Sequence, residues 1–331
     1  MHTVMMLTNY YWRQAMYNMN YDIQIGKYKL GLLESVEIHK SVDLLTDTAV
    51  IVVPGVVNNQ PLNVEDKIQI GDSVTIKLGY NDDLKIEFEG FLQRIDTDEN
   101  SLTFNCEDGI YLTRQSVNDK QFTNATVSQI AQYCLSEIGM SELNCTYDIT
   151  FQKFVIVNAN MFDVLKKLQD DTMANIYMNG KELNIHPPYI EKGGDVYYDF
   201  AKNIETADLK YRSKENRKLE VVVIGVGLDG KKQTVTVGTT GGEKRTIHVS
   251  SPMSDDDLKK RGESELQYLV FEGYEGSITS WLIPYVVPTF SAHIHDQEHE
   301  YKTGVYYVIS VTTTFDENGA VRKVELGRKL A

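Results

Sequence analysis

Apolar residues fall on every second position through many short runs of this chain, the spacing that turns one face of a strand toward a core. Tyr21–Ile25, Lys29–Ile38, Thr48–Val53, Ser73–Leu78, Leu84–Ile95 and Ser101–Cys106 are such runs, rich in Val, Ile and aromatics. Gly26, Pro54-Gly55, Ile70-Gly71-Asp72, Asn81-Asp82-Asp83 and Asp98-Glu99-Asn100 separate them and mark turns. Gly90, inside one run, reads as a bulge or sharp bend. Five or six strands at this spacing predict a small barrel or sandwich.

The period changes after Asp108. Val127, Ile130, Ala131, Cys134, Leu135 and Ile138 recur at helical spacing, with Asn124 or Thr126 as cap and Gly139 as stop. Phe151–Val157 is strand-like. Asn160–Met173 is a second amphipathic helix with Val164, Leu165 and Leu168 inward. Ala174–Met178 and Glu182–His186 form a hairpin about Asn179-Gly180.

From Ile204 the pattern returns to strands: Ile204–Tyr211, Lys218–Val226, Lys232–Val237 and Lys244–Val249. Ser254 caps a charged helix that reaches about Leu269, and Ser277–Val287 follows. Val305–Thr314 and Val321–Leu326, joined by Phe315-Asp316-Glu317-Asn318-Gly319-Ala320, make a closing hairpin. The fold class predicted is mainly β with an α+β module: two similar small β-barrel domains flanking, or interrupted by, a helix-containing domain. The boundaries are 1–108 for a first barrel, 109–196 for an α+β domain and 197–331 for a second barrel with an inserted helix.

Length agrees with several domains, since 331 residues exceed what one core normally serves. A formal net charge of −14 argues against a surface built to displace counterions from nucleic-acid phosphates. Cys106, Cys134 and Cys145 form no metal-knuckle spacing, and their odd number suits a reducing compartment. No apolar run is long enough to span a bilayer, and Met1–Thr8 is too short for a secretory signal. Tyrosine outnumbers the other aromatics, 20 against 11 Phe and 2 Trp. That favours extensive protein interfaces or a strand-rich chain.

Candidate chemistry is sparse. Gly225-Val226-Gly227-Leu228-Asp229-Gly230 matches a dinucleotide fingerprint, but Lys231–Val237 reads as a strand where a helix is required. His293 and His295 would share one strand face and, with His299, are the candidate metal ligands; a polar loop or a wet strand face is the plainer reading. Asp82-Asp83, Asp170-Asp171 and Asp255-Asp256-Asp257 could serve glycoside hydrolysis, yet turns, a polar helix face and a helix N-terminus explain them. Cys134 lies on the apolar side of its helix and reads as core. No catalytic residue and no cofactor is assigned.

The order of the pieces resembles the baseplate hub proteins of contractile tails. That family contains phage late control protein D, the hub of the large myophages and the N-terminal part of type VI secretion spike proteins. Gly71–Tyr80 followed by Phe88-Glu89-Gly90-Phe91-Leu92 is similar to its first-barrel pattern. Thr126–Ala131 and Met161–Leu168 resemble the two helices of its intervening module, and Ser254–Arg261 its inserted helix. Gly304–Phe315 with Gly319 and Val324–Gly327 resembles its closing hairpin. Ile283–Pro288, without glycine, departs from the turn the family has there, and the histidine segment has no counterpart.

The resemblance implies a structural, non-enzymatic protein of a virion tail baseplate or tail-like particle, assembled in the cytoplasm of a bacterial host. It implies a homotrimer forming a pseudo-sixfold ring that adapts a hexameric tail tube to a trimeric spike, beside other baseplate proteins. DNA would pass the channel without specific binding, along acidic walls. Needle or cell-wall enzyme would be separate chains. The alternatives are a tail-associated cell-wall or glycan hydrolase, or a glycan-binding β module.

Overall fold

Strands form where the alternation is strictest. The computed structural model describes residues 17–57, 60–61, 67–98, 100–189, 193–213 and 217–330. Met1–Thr8 and the Glu99 position of one turn lie outside the described residues. The first region holds β1 (Met19–Ile25), β2 (Tyr28–Lys29), β3 (Ser35–Ser41), β4 (Thr48–Pro54), β5 (Val56–Val57), β6 (Gln60–Pro61), β7 (Ser73–Tyr80), β8 (Asp83–Thr97) and β9 (Ser101–Glu107). Ile23 and Ile25, Val36 and Ile38, Ala49, Ile51 and Val53, and Leu102, Phe104 and Cys106 are all buried in one core. The run Lys29–Ile38 is broken: Leu30–Glu34 leaves the sheet, and β3 extends on to Ser41. Asn81 and Asp82, both at positive φ (51° and 65°), make the tight turn from β7 to β8. At Gly90 a Cβ would stand 2.1 Å from the Glu107 carbonyl oxygen, so only glycine lets β8 pass that close.

The middle region comprises β10 (Lys120–Thr126), α1 (Val127–Glu137), β11 (Leu143–Cys145), β12 (Thr150–Ile156), α2 (Met161–Thr172), β13 (Asn175–Asn179) and β14 (Glu182–His186). Thr126 and Gln129 form a reciprocal capping box at α1 (Gln129 N to Thr126 Oγ1 3.2 Å, Thr126 N to Gln129 Oε1 2.9 Å). Asn160 and Asp163 do the same at α2. The last region holds β15 (Asp195–Asp199), β16 (Thr206–Arg212), β17 (Leu219–Val226), β18 (Lys232–Gly238), β19 (Glu243–His248), α3 (Asp255–Leu269), β20 (Gly273–Trp281), β21 (Ser291–His295), β22 (Gly304–Asp316) and β23 (Gly319–Lys329). β17 is central to a sheet ordered β18-β17-β19, and α3 packs against β17 and β18. Val221, Val223, Val237 and Leu258 join the same hydrophobic core as α1 and α2.

The two-barrel expectation fails. β22 pairs antiparallel with β3, from Ser310↔Ser41 to Phe315↔Val36. The first and last β regions therefore share one thirteen-stranded sheet, ordered β16-β20-β23-β22-β3-β4-β9-β8-β7-β1-β2, with β21 joined to β22 and β15 to β21. Among the described residues no pairing returns from one end of this order to the other, so the sheet stays open. Alternation specifies which face of a strand is buried but not which neighbour takes its edge, and β3 and β22 satisfy each other across the boundary. What survives is a mainly-β chain with an α+β module.

Candidate functional site

Among the described residues, four polar side-chain contacts besides the strand ladder tie the first β region to the last. The His39 Nδ1 and Thr312 Oγ1 lie 3.0 Å apart across the β3–β22 seam. The Tyr80 hydroxyl donates to the Ala320 carbonyl (2.8 Å) and the Tyr285 hydroxyl to that of Ile86 (3.1 Å). The fourth contact is ionic. Arg322, 0% exposed, donates to the Glu87 carboxylate and to the carbonyls of Leu282 and Pro284. Its guanidinium also lies 5.1 Å from the centre of the Tyr285 ring. A buried charge is tolerable only with such satisfaction, so the pair fixes where β8 and β23 sit.

The margins of the sheet differ. On β15 the Asn203 side chain does the work of a missing strand: its amide donates to the Tyr197 carbonyl (2.9 Å) and its oxygen accepts the Asp199 N–H (2.8 Å). Among the described residues β16 pairs with β20 alone, through all seven of its residues, and Thr206, Ala207, Asp208 and Lys210 are exposed. At the far end β1 pairs fully with β7, while β2 covers it only at Gln24 and Ile25. Open ladders of N–H and C=O groups such as these are templates for another strand.

The histidines expected to ligate a metal lie near that capped margin. His293 and His295 do share a strand face, on β21, but His293 Nε2 is 2.8 Å from Asp195 Oδ1 and its ring stacks on Tyr197 at 4.5 Å. His299 sits beyond the strand and pairs with Asp296 at 3.7 Å. Among the described residues no three side chains of His, Cys, Asp and Glu converge in a metal-binding arrangement. The glycine motif is the β17–β18 turn, closed by Gly227 N to Lys231 O (2.8 Å) and Gly230 N to Gly227 O (2.9 Å). Asp170 pairs with Lys166, and Asp171 accepts from the Ser250 N–H and hydroxyl. Asp255, Asp256 and Asp257 occupy the first turn of α3, where the helix dipole favours them. Burial pushes the Cys106 and Cys134 thiols up to about 12, so neither is a thiolate at neutral pH.

Two features were missed in the sequence. Trp281 (55% exposed) and Ile283 (55% exposed) flank a groove of about 410 Å³ with Tyr17, Tyr80 and Val321. They fell within a run read as a strand, whereas β20 stops at Trp281. The second is a row of charges at inward positions. Register extends β3–β4 to Lys40 opposite Asp47, and β4–β9 to Asp47 opposite Asp108, each two residues beyond a buried apolar residue. Continuing the alternation of Val36, Ile38 and Ala49, Ile51 would have flagged them.

Comparison with known proteins agrees with this architecture. The prophage MuSo2 43 kDa tail protein from Shewanella oneidensis superposes with a TM-score of 0.68 at 17% identity, over 94% of this chain and 98% of that one. A tail protein from Neisseria meningitidis gives 0.66 at 16% identity, over 94% and 96%. A component of the Escherichia coli type VI secretion system, described as similar to T4 bacteriophage tail proteins, gives 0.54 at 8% identity, over 93% and 77%. At these identities the likeness is one of fold. No curated protein matches the sequence. A family model described as the Alg8 N-terminal domain matches residues 27–269. That match spans well over half of the chain, which thus has the fold of phage tail proteins and belongs to the Alg8 N-terminal domain family.

Proposed function

We propose that this chain is a structural hub of a contractile tail, a trimer that adapts a hexameric tube to a trimeric spike in a baseplate assembled in the bacterial host. The observation that carries the reading is the open sheet, in which the first and last β regions meet at the β3–β22 seam and leave two unlike margins. Each copy then offers two β regions to the ring, so that three copies face a sixfold tube. Because the margins differ, copies would join head to tail, the geometry that closes into a ring. DNA would pass the ring without specific contacts, and other baseplate proteins would surround it. The role is scaffolding: the carboxylates considered for hydrolysis are engaged in a turn, an ion pair, a backbone contact or a helix start.

Substitution of the open margin tests this. Successive N–H groups of a strand point to opposite sides, so of Asp208→Pro and Leu209→Pro one removes an outward donor and leaves the β16–β20 ladder intact. Mass photometry of protein coexpressed with its spike should give trimers for the parent chain and monomers for that variant. Trimers from both variants, or a parent chain that never trimerises with spike, would overturn the proposal.

A further inference from the structure

The glycine motif lies at the end of β17, the middle strand of the sheet β18-β17-β19, whose two faces differ. Leu219, Val221 and Val223 point one way and are buried, and Val221 and Val223 share a core with Val237 and with Leu258 of α3. A Cβ on Gly262 of α3 would stand 2.8 Å from Val223 Cγ2 and 2.9 Å from Val237 Cγ2, so the helix lies directly on this face. Alternation sends Glu220, Val222, Ile224 and Val226 the other way. Register sets Thr236, Thr234 and Lys232 of β18 beside Val222, Ile224 and Val226. On β19 it sets Lys244, Thr246 and His248 beside Glu220, Val222 and Ile224.

Among the described residues this second face is open to solvent. Lys232, Thr234, Thr236, Lys244, Thr246 and His248 are all exposed. Val226 is 45% exposed and Leu228, in the turn just beyond it, 62%. Val222 and Ile224 are half-buried and belong to none of the hydrophobic cores. Single exposed apolar residues need no explanation, but a continuous stripe of them rimmed by polar residues marks a surface for another protein.

Its charge selects the partner. Residues 217–249 hold six Lys and Arg against three Asp and Glu, in a chain whose net charge is −14. Lys232 makes no ion pair among the described residues, and Lys244 reaches Glu220 only at 3.7 Å. The first β region has the opposite balance: residues 22–108 hold seventeen Asp and Glu against seven Lys and Arg. Glu34, Glu37, Asp82 and Glu89 of that region are exposed. Within one copy the basic face stands open, so the two surfaces do not meet there. Between copies joined head to tail they do.

We propose that the outer face of the β18-β17-β19 sheet is a contact between copies of this chain, receiving the acidic outer surface of the next copy's first β region. Val222, Ile224 and Val226 pack against that surface, and Lys232 and Lys244 pair with its carboxylates. The contact rests on the head-to-tail trimer proposed above and adds a second surface to the β16 margin. Opposite charges steer the approach and fix which end meets which, whereas like ends repel. These charges stay close to solvent, so their attraction fades over about 8 Å at physiological salt.

Trimers assembled with spike from equal parts of unlabelled and isotope-labelled full chain, then treated with a carbodiimide that joins lysines to touching carboxylates, test the contact. Mass spectrometry should find Lys232 or Lys244 joined to Asp or Glu of residues 22–108, in products that pair a labelled with an unlabelled chain. The double variant Lys232→Glu, Lys244→Glu should weaken trimer assembly about tenfold or more at low ionic strength, and added salt should weaken the parent likewise. Both positions are exposed, so its circular dichroism and thermal melt should match the parent's. A double variant that assembles as well as the parent, or lysines joined only within one chain or only to the spike, overturns this contact and leaves the hub reading standing. A parent chain that forms no trimer with its spike overturns the hub reading, and this contact with it.

Discussion

Removing Arg322 would leave the Glu87 carboxylate in the core without its ion-pair partner, and would free the carbonyls of Leu282 and Pro284 as well. Breaking a buried pair from one side costs about 3–5 kcal/mol, whereas replacing both members by apolar residues is often neutral. Arg322→Met should therefore lower the denaturation midpoint severely, and the double variant Arg322→Met, Glu87→Leu should recover most of the loss. A double-mutant cycle in urea checks this; equal destabilisation in the single and double variants would show that the pair carries no coupling. Little of this was legible beforehand. Arg322 follows Val321 in an ordinary strand pattern, and only the seam gives it Glu87, 235 positions away, as a partner. The histidines show the reverse: His293 and His295 on one face were readable from spacing, but Asp195 and Tyr197, which occupy His293, come from a strand the sequence did not announce.

Elements with local signals were the ones best read. Ser254 and Thr126 cap their helices as their side chains suggest, because a cap needs only neighbours within one turn, and Asn160, read as the first helical residue, is the cap of α2. β15 and β21 lacked such signals: five residues each, short, polar on one face and paired in parallel across nearly a hundred positions. Their existence depends on tertiary context, as does the end of β20 at Trp281. Asn203 is likewise an element-scale device. Asn203→Ala removes two hydrogen bonds from the β15 margin and exposes it, at about 1 kcal/mol per bond. Thermal melts should show a loss of about 1–2 kcal/mol. Light scattering should show self-association that rises with concentration; an unchanged monomer would mean that the margin is protected by something else.

At the scale of the molecule, alternation correctly announced a β-rich chain with a helical module, and the order of those parts carried the family resemblance. Neither could show that the two β regions are one sheet, because pairing of β3 with β22 joins residues more than 260 apart and leaves no local trace. The consequence is testable. Residues 17–108 alone would present the β3 edge and lack Leu282, Phe315 and Ala320, which complete their core. Expressed by itself, this segment should self-associate or remain partly unfolded by size-exclusion chromatography and circular dichroism; a well-folded monomer would show that the seam is dispensable. The capped β15 margin has a meaning beyond its own stability. A subunit with one blocked side branch and two unlike free ends can grow only along a single line, so its polymers have a direction and cannot fork. Whether such a line closes after three steps or runs on as a fibre is then set by one angle, the turn between adjacent copies at β16.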